Sequence, residues 1–503
     1  MKKFALMIAL AVSPAIAAQT VDYSATAFGQ GASEEFAPYF IGALNGGRTT
    51  SANAAMLDVS ASVALDTTRR FSWGAGVEVL TGATSSVDYQ RYTPTGWTVS
   101  NSGPGAAWIQ QLYGELKYRQ VFLRLGQKQQ HSFLLDESIS SGDLTRSGNA
   151  RGIPGVEAGF IDFVDIPLTN GWLQINGVIE YGRYLDSDFK EEQFNYYHGQ
   201  ITSDLNYTYK RCYFRTRPTE RFVATIGMQT AGQFGGSYRR YAGGQLTGSE
   251  NRGFKIKDVF KMFFPTQGGA DGYYEGNSLG SWDVKLQYRL RSGDELSVAF
   301  QGPWEDGSGI GRCNGFDGLW GIYYHAAKRQ LISAAALEYL DFTNQSGPIH
   351  WATHDAPGTS IDTEATGGDD YYNSEYYGSF SNFGMAQATP FLVSPLYNLN
   401  GSPNFLHNRA RGMHAAVSGW LGNDFSYTVK YSWKQAWGKG RVPATHCLID
   451  NSASIAATYD AHRLLAGLSI SAQVAFDAGS LRGDNFGALV GVTYSGNFSL
   501  SKH

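Results

Sequence analysis

Residues 369–377 read Asp-Asp-Tyr-Tyr-Asn-Ser-Glu-Tyr-Tyr. The ring faces of Tyr371, Tyr372, Tyr376 and Tyr377 suit the C–H patches of a sugar, and Asp369, Asp370, Asn373 and Glu375 suit its hydroxyls. That chemistry makes the segment a candidate glycan-contacting loop. The same composition also fits an interfacial aromatic girdle or an ordinary Tyr-rich loop, and at the level of sequence both readings stand. Tyr196-Tyr197-His198 is a smaller candidate of the same kind. A further constellation is Ser147-Gly148-Asn149-Ala150-Arg151. Asn149 suits a turn. Arg151 suits salt bridges in a wet lumen or on a periplasmic face, with Glu305, Asp306 and Asp317 as acidic partners.

Catalysis and metal binding find less to use. Glu305 and Asp306 would point to opposite faces of a strand, so they would not converge as a hydrolase pair. The ten His residues form no recognisable triad with Ser and an acid, and neither C-x-x-C nor H-E-x-x-H occurs. Cys212, Cys313 and Cys447 lie far apart, and no pairing follows from their spacing. The residues thus offer no recognisable catalytic set and no metal-ligand spacing.

The elements available to position these residues are strands. Trp282, Val284, Leu286, Tyr288 and Leu290 alternate with Asp283, Lys285, Gln287, Arg289 and Arg291. Ser292-Gly293-Asp294 makes a turn, and Leu296, Val298 and Phe300 return. One face needs water and the other cannot meet bulk water along its length. A lipid-embedded barrel with a wet lumen meets both demands, whereas a dry sandwich core does not. The period of two recurs at 57–65, 71–79, 173–181, 222–228, 425–433, 464–476 and 486–498.

Composition agrees. Aromatic residues make up 14% and charged residues 17%, with 61 Gly, which excludes a disordered chain. The only long apolar run lies at the N-terminus, which excludes a helical membrane protein. There Lys2 and Lys3, the apolar stretch Phe4–Val12 and Ala15-Ile16-Ala17 form the three parts of a secretory signal peptide over residues 1–17. Its removal takes the formal charge from −4 to −6, so no basic footprint for nucleic acid remains.

The fold class expected is all-β: one transmembrane antiparallel β-barrel over residues 18–503. Strands of about 9–11 residues with short and long connections in alternation give roughly 16–20 of them, and eighteen is the even number chosen. Residues 126–158, 190–220, 235–280 and 343–410 lack clean alternation and read as loops or inserted elements. Residues 255–261 read as a short helix.

Several of these irregular stretches resemble the Wzi family of capsule assembly proteins, in its Bacteroidetes-like form. The resemblance is carried by Glu35-Phe36-Ala37-Pro38-Tyr39-Phe40, by Leu125-Gly126-Gln127-Lys128 with Ser141–Arg151 and Ile153-Pro154, and by Glu275-Gly276 with Leu279–Asp283. Trp304–Gly309, Asp317-Gly318-Leu319-Trp320-Gly321, Asp370-Tyr371-Tyr372-Asn373, Thr389–Leu392 and His407-Asn408-Arg409 continue it in order. Asn149, Arg151, Glu305, Asp306, Asp317 and Trp320 are thus the family-like motif residues.

The resemblance implies an outer-membrane barrel of about eighteen strands with a small helical element on the periplasmic side. It also implies a lectin-like role at the cell surface, with surface or capsular polysaccharide and outer-membrane lipid as partners, no enzymatic step, no metal and no cofactor. The single-chain length allows a monomer. A porin or passive solute channel is the competing expectation, because a barrel of this size can leave an aqueous lumen. A barrel enzyme acting on lipid or glycan is the third.

Overall fold

The computed structural model describes residues 19–93, 95–194, 198–263, 276–348, 350–351, 365–440 and 442–500. The signal-peptide reading of residues 1–17, together with Tyr196, Tyr197 and Glu275, lies outside the described residues. The alternation read at 282–300 is a wall hairpin: Asn277–Arg289 pairs with Glu295–Trp304 in the register Asp283↔Gln301. Asp283 is fully buried while Trp282 on the opposite face is 36% exposed.

Eighteen strands repeat this scheme, each antiparallel to its neighbours. The first, Gln19–Ala32, pairs with the last, Asn485–Leu500, from Gln19↔Leu500 to Ala32↔Gly487. That pairing closes the sheet and leaves no open edge, so the wall's backbone polar groups bond one another rather than lipid. Val164–Asp165 continues Gly155–Phe160 along the same neighbour, Leu173–Arg183.

The wall is inverted relative to a soluble protein. Leu57, Val59, Leu116, Leu123, Ile226, Ile322, Leu337, Ile455 and Val490 are exposed on the outer face. Glu115, Glu157, Glu180, Asp283, Gln301 and Glu338 are buried on the inner one. An apolar outer band around a polar lumen is the arrangement of transmembrane barrels.

Both described ends of the chain lie at one rim, where the connections are short, such as 119–120, 290–294 and 422–424. The connections 33–53, 85–106, 128–154, 184–205, 235–276, 305–317 and 342–409 all lie at the opposite rim. There only 440–441 and 480–484 are short. In outer-membrane barrels the short-turn rim is periplasmic.

This asymmetry corrects one expectation. The described helices, Tyr39–Gly42, Ser187–Gln193, Ile256–Phe263 and Gly307–Ile310, all sit in long connections at the far rim, not beside the termini. The connections at the terminal rim, none longer than eight residues, hold no helix among the described residues.

A second expectation also changes. The stretch 190–220, read as irregular, contains the wall strand Asn206–Thr216. Its inner face carries Tyr207, Tyr209 and Tyr213, all buried. Its outer face carries Thr208 and Lys210, covered by the helix Ile256–Phe263: Lys210 Nζ donates to Met262 O at 2.6 Å. With rings inside and polar groups outside, the pattern that marks a barrel strand is lost. The helix itself matches the expectation for 255–261. All three cysteines are free thiols.

Candidate functional site

The connection 128–154 does not stay at the rim. It folds into the lumen and bonds to the wall on several sides. Asp143, fully buried, accepts from Gln229 Nε2 at 3.0 Å and from Gln301 Nε2 at 2.8 Å, on strands Phe222–Phe234 and Glu295–Trp304. The Ser141 amide donates to Glu338 at 2.8 Å, and His414 Nε2 lies 3.0 Å from Ile139 O. Lys285 Nζ donates to Leu134 O at 2.8 Å.

Arg146 lies 3.1 Å from Glu180 and 3.4 Å from Glu157, with its guanidinium 4.2 Å from the ring centre of Tyr209. Burial works against its charge, but Glu180 and Glu157 outweigh burial and push its pKa above the ordinary value. Gly142 permits the inward path: its φ is +95°, and a Cβ there would meet Pro390 at 2.9 Å.

The longest connection, 342–409, lies over this segment. Tyr371, Tyr372 and Asn373 are buried within it. Tyr371 Oη donates to Asp317 at 2.9 Å and accepts from Asn314 at 3.0 Å. Tyr372 Oη donates to Leu144 O at 2.7 Å, and its amide donates to Glu305. Asn373 and Phe405 bond each other in both directions, at 3.0 and 2.9 Å. Asp370 accepts from Asn408 and Asn373. Tyr377 is buried against Arg252, whose Nη1 donates to its hydroxyl at 3.2 Å.

Of the residues in 369–377, Glu375 is exposed and pairs with Arg240 at 2.9 Å, and Tyr376 is half-buried against Tyr238. The structure therefore places most of this Tyr-rich segment in the loop interior and brings Tyr376 and Glu375 toward the outside.

The family-like residues divide as well. Asn149 is fully buried; it accepts from the Leu44 amide at 3.1 Å and donates to Ala386 O at 2.9 Å, tying three connections together. Asp317 accepts from the Asn344 and Gln345 amides and is pushed up to about 6, chiefly by burial. Glu305 is pushed well above the carboxylate range, again first by burial. Asp306 accepts from Ser308 within its own connection. Trp320 faces outward, 39% exposed, against Phe300, so it belongs to the outer surface.

The expected salt bridges of Arg151 to Glu305, Asp306 or Asp317 are not formed: Glu305 and Asp317 accept from connection 342–409, and Asp306 accepts within its own connection. The wall acids nearest the inward segment, Glu157 and Glu180, pair with Arg146. Arg151 instead lies between two rings, 5.2 Å from the centre of Trp108 and 4.4 Å from that of Phe383. Its pKa is lowered to about 10, by burial first and then by Arg48.

Arg151 lines a cavity of about 240 Å³ at the long-loop rim. The walls come from connections 33–53, 85–106, 184–205 and 342–409 and the start of strand Ala107–Tyr118, with Phe36, Tyr89, Trp108, Phe189 and Phe383 supplying rings. Phe383 is held there at φ +49°, a conformation unfavourable for a bulky residue. Trp108, Tyr89, Phe189 and Phe383 were not singled out in the sequence. Tyr89, Phe189 and Phe383 come from three separate connections and Trp108 from the wall strand Ala107–Tyr118, and no local pattern unites them. Among the described residues no group of three or more His, Cys, Asp or Glu is placed to hold a metal ion.

No protein-family model and no curated protein matches the chain. Solved structures do. Wzi, an outer-membrane protein involved in group 1 capsule assembly in Escherichia coli and a carbohydrate-binding β-barrel, matches over 97% of this chain and 86% of its own. The identity is 12% and the TM-score 0.55. OccAB2 of Acinetobacter baumannii matches over 95% and 98% at 10% identity and a TM-score of 0.47. OprD of Pseudomonas aeruginosa matches over 96% of each chain at 10% identity and 0.42. At these identities the likeness concerns the fold: this chain has the fold of large outer-membrane β-barrels.

Proposed function

We propose that this chain is a lectin-like, non-enzymatic protein of the bacterial outer membrane that holds a capsular or other surface polysaccharide at its long-loop rim. The observation that carries the reading is the inward segment 128–154, bonded to the lumenal wall through Asp143, Ser141, Ile139 and Arg146 beneath the layer of 342–409. A barrel filled in this way presents a fixed surface at one rim rather than a wide passage. The ring-lined cavity at that rim suits sugar faces. The fold likeness to Wzi, itself a carbohydrate-binding barrel, supports the same reading.

Binding would be weak per sugar unit and strengthened by many barrels engaging one polymer. The barrel acts as a single chain, anchored by its apolar outer band in lipid. Deleting the gene should release polysaccharide into the medium, and unchanged retention at the surface would overturn the role. A passive channel is the competing reading, favoured by the polar inner face of the wall. A steady open conductance in planar bilayers would support it.

A further inference from the structure

Among the described residues Arg151 forms no ion pair. Its Nε is buried with no hydrogen-bond partner, and no carboxylate among the described residues shifts its pKa upward. Trp108 and Phe383 hold the guanidinium in place through its faces, which leaves its in-plane N–H groups for an acceptor. A second unpaired polar atom lines the same cavity. Asn382, 2% exposed, donates through Nδ2 to Arg151 O at 2.8 Å, which fixes its amide orientation; its Oδ1 is buried without a partner. Buried polar groups are normally satisfied, and those that are not require a partner. The cavity thus offers a fixed cation, a free acceptor and several ring faces; its one acid, Glu192, is exposed to solvent and forms no ion pair with Arg151.

Resting on the polysaccharide-holding reading above, we propose that this cavity binds an acidic sugar unit of the polymer, one that carries a carboxylate. Arg151 takes the carboxylate through a charge-assisted, planar hydrogen-bonding pair. Asn382 Oδ1 accepts from a ring hydroxyl, and Phe36 of the cavity wall packs against the C–H face. At about 240 Å³ the cavity falls below the roughly 300–1,000 Å³ of drug-sized pockets and suits one sugar unit of a longer chain.

The test is calorimetric titration of the intact barrel in detergent with glucuronate and galacturonate tetrasaccharides, with the same oligomers after reduction of their carboxylates to alcohols, and with inorganic phosphate. The expected result is binding of an acidic tetramer about tenfold or more tighter than its reduced form. Arg151→Gln should lose that preference while keeping the parent's heat-modifiable migration on gels, and Arg151→Lys should restore part of it. Equal binding of acidic and reduced forms, an unaffected Arg151→Gln variant, or no binding of any tetramer would overturn the inference. Phosphate competing as strongly as the acidic tetramers would overturn the sugar assignment and leave a general anion site. The two readings fail separately. A neutral surface polymer retained by the barrel would keep the wider role without this pocket. Acidic-sugar binding with unchanged retention in the deletion strain would keep the pocket without the role.

Discussion

Arg146 and Arg151 lie five residues apart on one inward segment and meet opposite surroundings. Arg146 faces Glu157 and Glu180 of the lumenal wall and the ring of Tyr209. Arg151 faces Trp108, Phe383 and a cavity whose one acid, the exposed Glu192, forms no ion pair with it. A buried charge is tolerated when it is paired, and breaking such a pair leaves an uncompensated partner. The first arginine therefore fastens the inward segment to the barrel. The second adds little to the fold and is free to engage something else. The difference separates a lumen built to stay filled from a rim built to stay open.

The largest expected effect lies at the fastening. Arg146→Met leaves Glu180 buried without its arginine, while Glu157 keeps Arg124, and should cost about 3–5 kcal/mol, seen as a lower temperature for the heat-modifiable gel shift. Arg151→Gln should stay within about 1 kcal/mol of the parent, since it removes only ring contacts. Equal losses in the two variants would erase the contrast. Next comes conductance. The intact barrel should show no steady wide-pore current in bilayers, and Arg146→Met should add open events by loosening the segment. A parent that already conducts steadily would favour the channel reading.

The smallest effect concerns pH. Burial, and then the charge of Asp306, push Asp369 up to about 7 from an ordinary 3.8. The folded chain then holds this proton more tightly than the unfolded chain does. Its stabilising contribution is present below about 4 and is lost as pH rises through about 7. Amide exchange in 365–382, corrected for its intrinsic pH dependence, should be faster at pH 8 than at pH 5. Asp369→Asn should flatten that difference. A parent without the difference would contradict the assignment.

The barrel wall was legible because its physics is local. Lipid on one side and water on the other impose a period of two, as at Trp282–Leu290. Where a neighbour covers the outer face, as the helix Ile256–Phe263 covers Thr208 and Lys210, the period disappears, and Asn206–Thr216 was not seen. The rim was less legible. Tyr371, Tyr372 and Asn373 have the inventory of a glycan site, but the same rings and amides also bond loops to one another. Residue type alone does not separate the two uses; burial does. Arg151 was singled out as a motif residue with the wrong partners, because its surroundings come from Trp108 and Phe383, distant in sequence. The cavity exists only once five connections and the strand Ala107–Tyr118 meet.

The most direct measurement is surface retention of polysaccharide in cells that lack the gene, then carry the parent chain, then carry Arg151→Gln at equal outer-membrane abundance. The structure predicts release of polymer without the gene and full retention with the parent. For an acidic polymer it predicts partial release with the variant. Full retention in cells that lack the gene would contradict the assigned role.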